Sequence, residues 1–179
     1  MKDFSGDTLS SVEFRSINNN KTCLIQSLDY KLHFHASVVT PNGVITCGGV
    51  LYHGRTNKCV RLTVKNTWEP FPSMNIPRYE FDMVVVGDML VAFNSSLESH
   101  TFEMINWRNN NKWESVKMNK EFYSSCIAKW DDENVLIIGG RKTAHGVSNI
   151  NIKLISLSVI KCFSFEIILI SYIRKACNK

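Results

Sequence analysis

The sequence predicts an all-β chain, an incomplete β-propeller of about three to three and a half four-stranded blades, on three observations. The first is a unit between Val44 and Arg78. An apolar run (Val44, Ile45, Thr46, Cys47) stops at Gly48-Gly49, a polar loop follows, then a second run (Cys59, Val60, Leu62, Val64), then Trp68 ahead of Pro70 and Pro72. Each run is strand-length and is bounded by turn residues. The second observation is recurrence: Trp68 falls on Trp113, 45 positions on, and the Gly48 doublet falls on Asn94-Ser95 after 46 and on Gly139-Gly140 after a further 45. Strand-rich repeats of this period build propeller blades. The third is length, because 179 residues hold too few such units to close a ring, which takes about four to eight blades.

The elements follow in order. Residues 1–30 read as the outer half of a truncated blade, since Val12-Glu13-Phe14 before Asn18-Asn19-Asn20-Lys21 echoes Phe102-Glu103-Met104 before Asn109-Asn110-Asn111-Lys112. That half-blade has strands near Ser11–Ile17 and Thr22–Leu28 joined by an asparagine turn, a residue type that tolerates positive φ. Unit 1 spans 31–78, with strands at Phe34–Val39 and Val44–Val50 around a Pro41-Asn42-Gly43 corner, then an outer pair at Cys59–Lys65 and Thr67–Phe71. Unit 2, 79–123, is degenerate: Phe81–Val86, a turn at Gly87-Asp88, Met89–Phe93, then Thr101–Asn106 and Lys112–Lys117. Unit 3, 124–156, is incomplete, with Ser124–Trp130, Val135–Ile138 and a strand near Ile150–Ile155. A register of 45 aligns His33, Arg78 and Tyr123 ahead of the three innermost strands. The apolar tail 157–179 leaves the repeat. Lys161 and Glu166 interrupt it, so it falls short of the ~20 apolar residues of a spanning helix and reads as a strand or helix that patches the last blade, the alternatives being membrane insertion or a sequence that has left its family pattern.

Composition narrows the partners. With 44% hydrophobic residues the chain can bury a core, and its net charge of +5 comes from scattered lysines and arginines. No basic stripe or recognition helix is present, so nucleic acid is excluded as a partner, and no membrane partner is expected. The opening residues carry Asp3, Asp7 and Glu13 and lack an apolar signal core, which predicts a cytoplasmic protein with its two sequons, at Asn20 and Asn94, unmodified. The six cysteines form no C-x-x-C pair. They are expected to be reduced, with Cys47, Cys59 and Cys126 as small core side chains.

The unit resembles a kelch repeat, on Val44–Cys47, Gly48-Gly49, Trp68, Pro72, Met74 and Arg78 in that order. The resemblance covers about Val12 to Ser156. Unit 2 departs from it, with Asn94-Ser95 in place of the doublet and Tyr123 in place of the arginine, and unit 3 lacks its tryptophan. It implies kelch-type blades in which Gly48, Gly49, Trp68, Arg78, Trp113, Gly139 and Gly140 are structural positions. Glycines admit a neighbouring backbone or ring, tryptophans fill the seams between blades, and Arg78 ties a loop carbonyl or a carboxylate of the next blade.

Candidate chemistry is sparse. His53, His100 and His145 recur in the same loop of each unit, 47 and 45 residues apart, and are candidate loop contacts. A shared metal would need ligand nitrogens within ~2 Å of it, closer than adjacent blades bring such loops, so no metal or cofactor is expected. Asp131, Asp132 and Glu133 are consecutive turn carboxylates, and no phosphate loop, nucleophile elbow or metalloprotease helix occurs. The resemblance extends to copper radical oxidases, but too few blades remain to gather their ligands, and no enzyme is expected.

What the resemblance implies is a protein-binding module that recognises substrates for a cullin-type ubiquitin ligase, or alternatively one that binds actin. The BTB domain that accompanies the ligase role does not precede unit 1, so the chain is expected to be the substrate-reading part or a fragment. A non-functional or enzyme-derived fragment is the remaining alternative. Open blade edges would then favour self-association.

Overall fold

The computed structural model describes residues 8–93, 101–109, 112–118, 123–141 and 153–156. Every regular element among them is a β-strand, and every pairing is antiparallel. β1 (Val12–Arg15) and β2 (Thr22–Ile25) form a hairpin whose asparagine turn places Asn20 at positive φ, with the Arg15 guanidinium donating to its Oδ1. β3 (Ala36–Thr40) pairs with β4 (Gly43–Cys47) across the Pro41-Asn42 corner. The chain then leaves the sheet for a small hairpin of β5 (Val50–Leu51) and β6 (Gly54–Arg55). It returns as β7 (Cys59–Leu62) and β8 (Trp68–Phe71), completing a four-stranded sheet in the order β3-β4-β7-β8.

A second four-stranded sheet repeats that order with β9 (Asp82–Val86), β10 (Met89–Phe93), β11 (Thr101–Asn106) and β12 (Glu114–Lys117). A third has β13 (Tyr123–Lys129), β14 (Asn134–Arg141) and β15 (Lys153–Ser156). The leading strands are neighbours: β9 lies beside both β3 and β13.

Strand alternation explains why the middle sheet is the hub. Successive strand residues point to opposite faces, so in β10 Leu90 and Ala92 pack with Ile45, Phe71, Met74 and Phe81 on the side of the first sheet. Val91 and Phe93 pack with Val135 and Ile137 of the third. Burying each Leu, Val or Phe contributes about 1.5–3 kcal/mol, and a sheet covered on both faces collects that twice over. The same alternation in β11 sends Phe102 and Met104 toward the third sheet. It leaves Glu103 and Ile105 on the side of the first.

Three expectations need correction. The cysteines are not all reduced: Cys47 and Cys59 face each other on β4 and β7 with Cα atoms 4.1 Å apart and form a disulfide, and Cys23 is also disulfide-bonded. Strand pairing, which no C-x-x-C count reveals, brings Cys47 and Cys59 together. Cys126 is a free thiol and exposed, so it is not a core side chain. The expected strand Val44–Val50 ends at Cys47, because Gly48 and Gly49 both take positive φ and turn the chain out of the sheet.

Candidate functional site

The seams between sheets are built from the repeat positions. Trp113 is buried and its indole Nε1 donates to the Pro72 carbonyl at 2.7 Å; Trp68, half-buried, donates to the Gln26 carbonyl at 2.8 Å. Pro72 is the residue just past β8 and Gln26 the residue just past β2, so one bond recurs in equivalent places. Gly48 and Gly49 sit at the first seam. A Cβ on Gly48 would stand 2.5 Å from the Arg78 carbonyl oxygen and 2.7 Å from the Phe81 ring, and one on Gly49 2.7 Å from the His33 carbonyl oxygen. No side chain fits there, and Gly49 N–H instead donates to the Arg78 carbonyl at 2.7 Å.

Arg78 closes this seam. Its side chain and that of Glu103 are both 0% exposed, with Nε and Oε1 3.2 Å apart. The guanidinium also donates to the Thr101 carbonyl and hydroxyl at 3.1 and 3.0 Å. Glu103 accepts the backbone N–H groups of Asn75 and Ile76 at 2.6 and 3.2 Å, which are otherwise orphans of the link between sheets. A buried charge requires this kind of full pairing.

At the same end of the sheets the loops gather into a surface. The segment before β3 and the β5–β6 hairpin are joined by reciprocal His33 and Val50 backbone bonds, and the segment before β9 is joined to the first by Glu80 N–H to the Phe34 carbonyl. Phe34 and Glu80 both hold positive φ, two residues ahead of their strands. Out of this frame project Tyr52, 97% exposed, with His53 edge-on at 5.1 Å, and Arg55 stacked 4.4 Å over the Tyr79 ring. Phe34 is exposed and lies 4.8 Å from the His33 ring. The Nδ1 atoms of His33 and His35 are buried without a hydrogen-bond partner among the described residues. Burial holds the His35 imidazole below the usual histidine range. The surface can offer aromatic faces, imidazoles and a guanidinium to a partner, and tyrosine and arginine are among the residue types that anchor protein interfaces.

Of the three recurring histidines, the structure places His53 at the tip of the β5–β6 turn; His100 and His145 lie outside the described residues. So do Asn94-Ser95 and the tail 157–179, while Gly139 and Gly140 are placed by backbone within β14. At the opposite end, Asp131 is engaged in its own turn, accepting Glu133 N–H at 2.8 Å and the Asn134 amide, bonds that hold its carboxyl below the ordinary value. Lys129 neutralises Asp132 at 2.8 Å. Among the described residues no group of His, Cys, Asp and Glu could hold a metal ion, and no helix is long and apolar enough to cross a membrane. Tyr52 and Arg55 had no sequence signal beyond lying in a loop after a glycine doublet. No protein-family model and no curated protein matches the chain.

Proposed function

We propose that this chain is a protein-binding module, a partial kelch-type propeller that serves as the substrate-recognition part of a kelch-like ubiquitin-ligase adaptor. One observation carries the reading: the tryptophan-to-carbonyl bond recurs from Trp68 to Gln26 and from Trp113 to Pro72, in sheets whose leading strands lie side by side. Repeated seams of this kind support blades fanned around an axis, and blades present loops rigidly at their ends. The β5–β6 hairpin and the segments before β3 and β9 form the recognition end, with Tyr52, His53 and Arg55 as contacts.

The test is affinity capture by the full chain and by a Tyr52→Ala/His53→Ala/Arg55→Ala variant with an unchanged melting temperature. Proteins retained by the first and lost by the second, and ubiquitinated when the chain is fused to a cullin-docking domain, support the proposal. Equal retention by both refutes the assignment of this surface.

A further inference from the structure

The Cys47–Cys59 disulfide lies where the recognition hairpin leaves the first sheet. It joins the last residue of β4 to the first residue of β7, so everything from Gly48 to Lys58 is a loop closed at its base by a covalent bond. Its sulfurs are packed inside, with Cys47 0% and Cys59 4% exposed, among Ala36, Phe71 and Phe81. The fold does not demand a disulfide at this place. The matching cross-strand pair of the second sheet, which ends β10 and sits on β11, is Phe93 opposite Phe102, two buried rings.

Inside the closed loop regular structure is thin. β5 and β6 pair over Val50 with Arg55 and Leu51 with Gly54, and a Cβ on Gly54 would meet nothing within 4 Å. The remaining ties run to residues below the tip: Gly48 N–H to the Lys58 carbonyl at 2.9 Å, Thr56 N–H to the Gly49 carbonyl at 3.0 Å, Asn57 to Met74, Val50 N–H to the His33 carbonyl at 2.8 Å, and Arg55 over the Tyr79 ring. The tip that carries Tyr52 and His53 is therefore positioned through its base.

We propose that Cys47–Cys59 is a redox clamp that holds the 48–58 loop in its binding arrangement and releases it when a dithiol reductant opens the bond. The consequence for a partner rests on the recognition reading above; the clamp itself does not. One reductant thiolate attacks a cysteine sulfur and expels the other as thiolate. The reductant's second thiol then attacks the mixed disulfide and expels the first. Two electrons and two protons pass to the protein, which ends with two thiols, while the reductant ends as a cyclic disulfide. Two thiol sulfurs need van der Waals separation where bonded sulfurs did not, and a close-packed core has no slack for them. The base of the loop must widen, against the Phe81 ring that already crowds Gly48.

Hydrogen exchange on the full chain with Cys23→Ser, before and after dithiothreitol, tests this without any partner. The expected result is at least about tenfold faster exchange of the Val50 and Thr56 amides, with β9–β11 unchanged. A Cys47→Ala/Cys59→Ala chain that keeps Cys23 should show the same loosened loop, and it serves if Cys23→Ser does not fold. Unchanged loop exchange overturns the proposal, as does simultaneous loss of protection in β9–β11, or alkylation of Cys47 and Cys59 in the untreated chain. If the loop loosens on reduction but capture is equal with and without Tyr52, the clamp stands and the recognition reading falls.

Discussion

Glu103→Ala tests the seam between the first two sheets directly. The change leaves the Arg78 guanidinium fully buried with its carboxylate gone, and it orphans the Asn75 and Ile76 N–H groups that Glu103 accepts. Breaking a buried ion pair from one side costs about 3–5 kcal/mol, and each orphaned backbone donor adds toward the upper end of that range. Against a domain stability of about 5–15 kcal/mol this is a large fraction. With a urea slope near 2 kcal/mol per molar, the unfolding midpoint should fall by about 2 M. Arg78→Leu with Glu103→Val should recover the part of the loss that comes from the unpaired guanidinium, because the pair is then apolar on both sides, while the Asn75 and Ile76 N–H groups stay orphaned. Urea unfolding followed by tryptophan emission reads the parent chain, Glu103→Ala, the double variant and its two singles. A Glu103→Ala loss below about 1 kcal/mol, or a double variant worse than the sum of its singles, would show that the pair does not hold the sheets together.

Three further outcomes follow from the same geometry. Trp113→Phe should cost about 1–3 kcal/mol in thermal unfolding, since it strands the Pro72 carbonyl in a buried seam, and half-buried Trp68→Phe should cost less; the reverse order would contradict the burial. His35 has a folded-state pKa below the ordinary 6.5, so the unfolded chain binds more protons as pH falls through that value. Stability should therefore be flat above about pH 7 and decline on acidification toward pH 5, and a His35→Phe chain should lose its share of that decline in denaturant titrations at the two pH values. Asp131 is exposed, its carboxyl lowered first by the Glu133 N–H and next by the Asn134 amide. Asn134→Ala should move its titration, followed by carbon NMR, upward toward the ordinary 3.8, and no movement would remove the amide as a cause.

Strands were legible where alternation met turn chemistry. β9, β10 and β11 begin and end within a residue of the positions that Phe81–Val86, Met89–Phe93 and Thr101–Asn106 predict; Gly87-Asp88 punctuates β9 and β10, and burial on both faces makes β10 continuously apolar. The β5–β6 hairpin was not legible. Two-residue strands carry no period, and Tyr52-His53 is an unusual turn pair whose geometry depends on Gly54 and on ties to Val50 from outside the segment. The disulfide was hidden for a related reason, since Cys47 and Cys59 meet through the β4–β7 register and not through their spacing. Burial of Trp107, whose Nε1 donates to the Gly87 carbonyl, was missed because it lies off the tryptophan repeat.

A constant period also misplaced one residue, and the slip explains the chemistry of Arg78. The register of 45 pairs Arg78 with His33, yet β3 starts at Ala36 and β9 at Asp82, and the positive-φ residues Phe34 and Glu80 precede each by two. Arg78 therefore corresponds to Leu32, four residues ahead of its strand and equally buried. Likewise the Phe102 opposite Phe93 matches the Cys59 opposite Cys47, which makes Glu103 the counterpart of Val60. Where the second sheet presents a carboxylate to an arginine, the first presents valine at the place matching Glu103 and leucine at the place matching Arg78. Loops of unequal length between strands of fixed pairing move the register by a residue while leaving the seam in place. The frame fixes which positions correspond, and each sheet then settles, residue by residue, whether they carry ions or hydrocarbon.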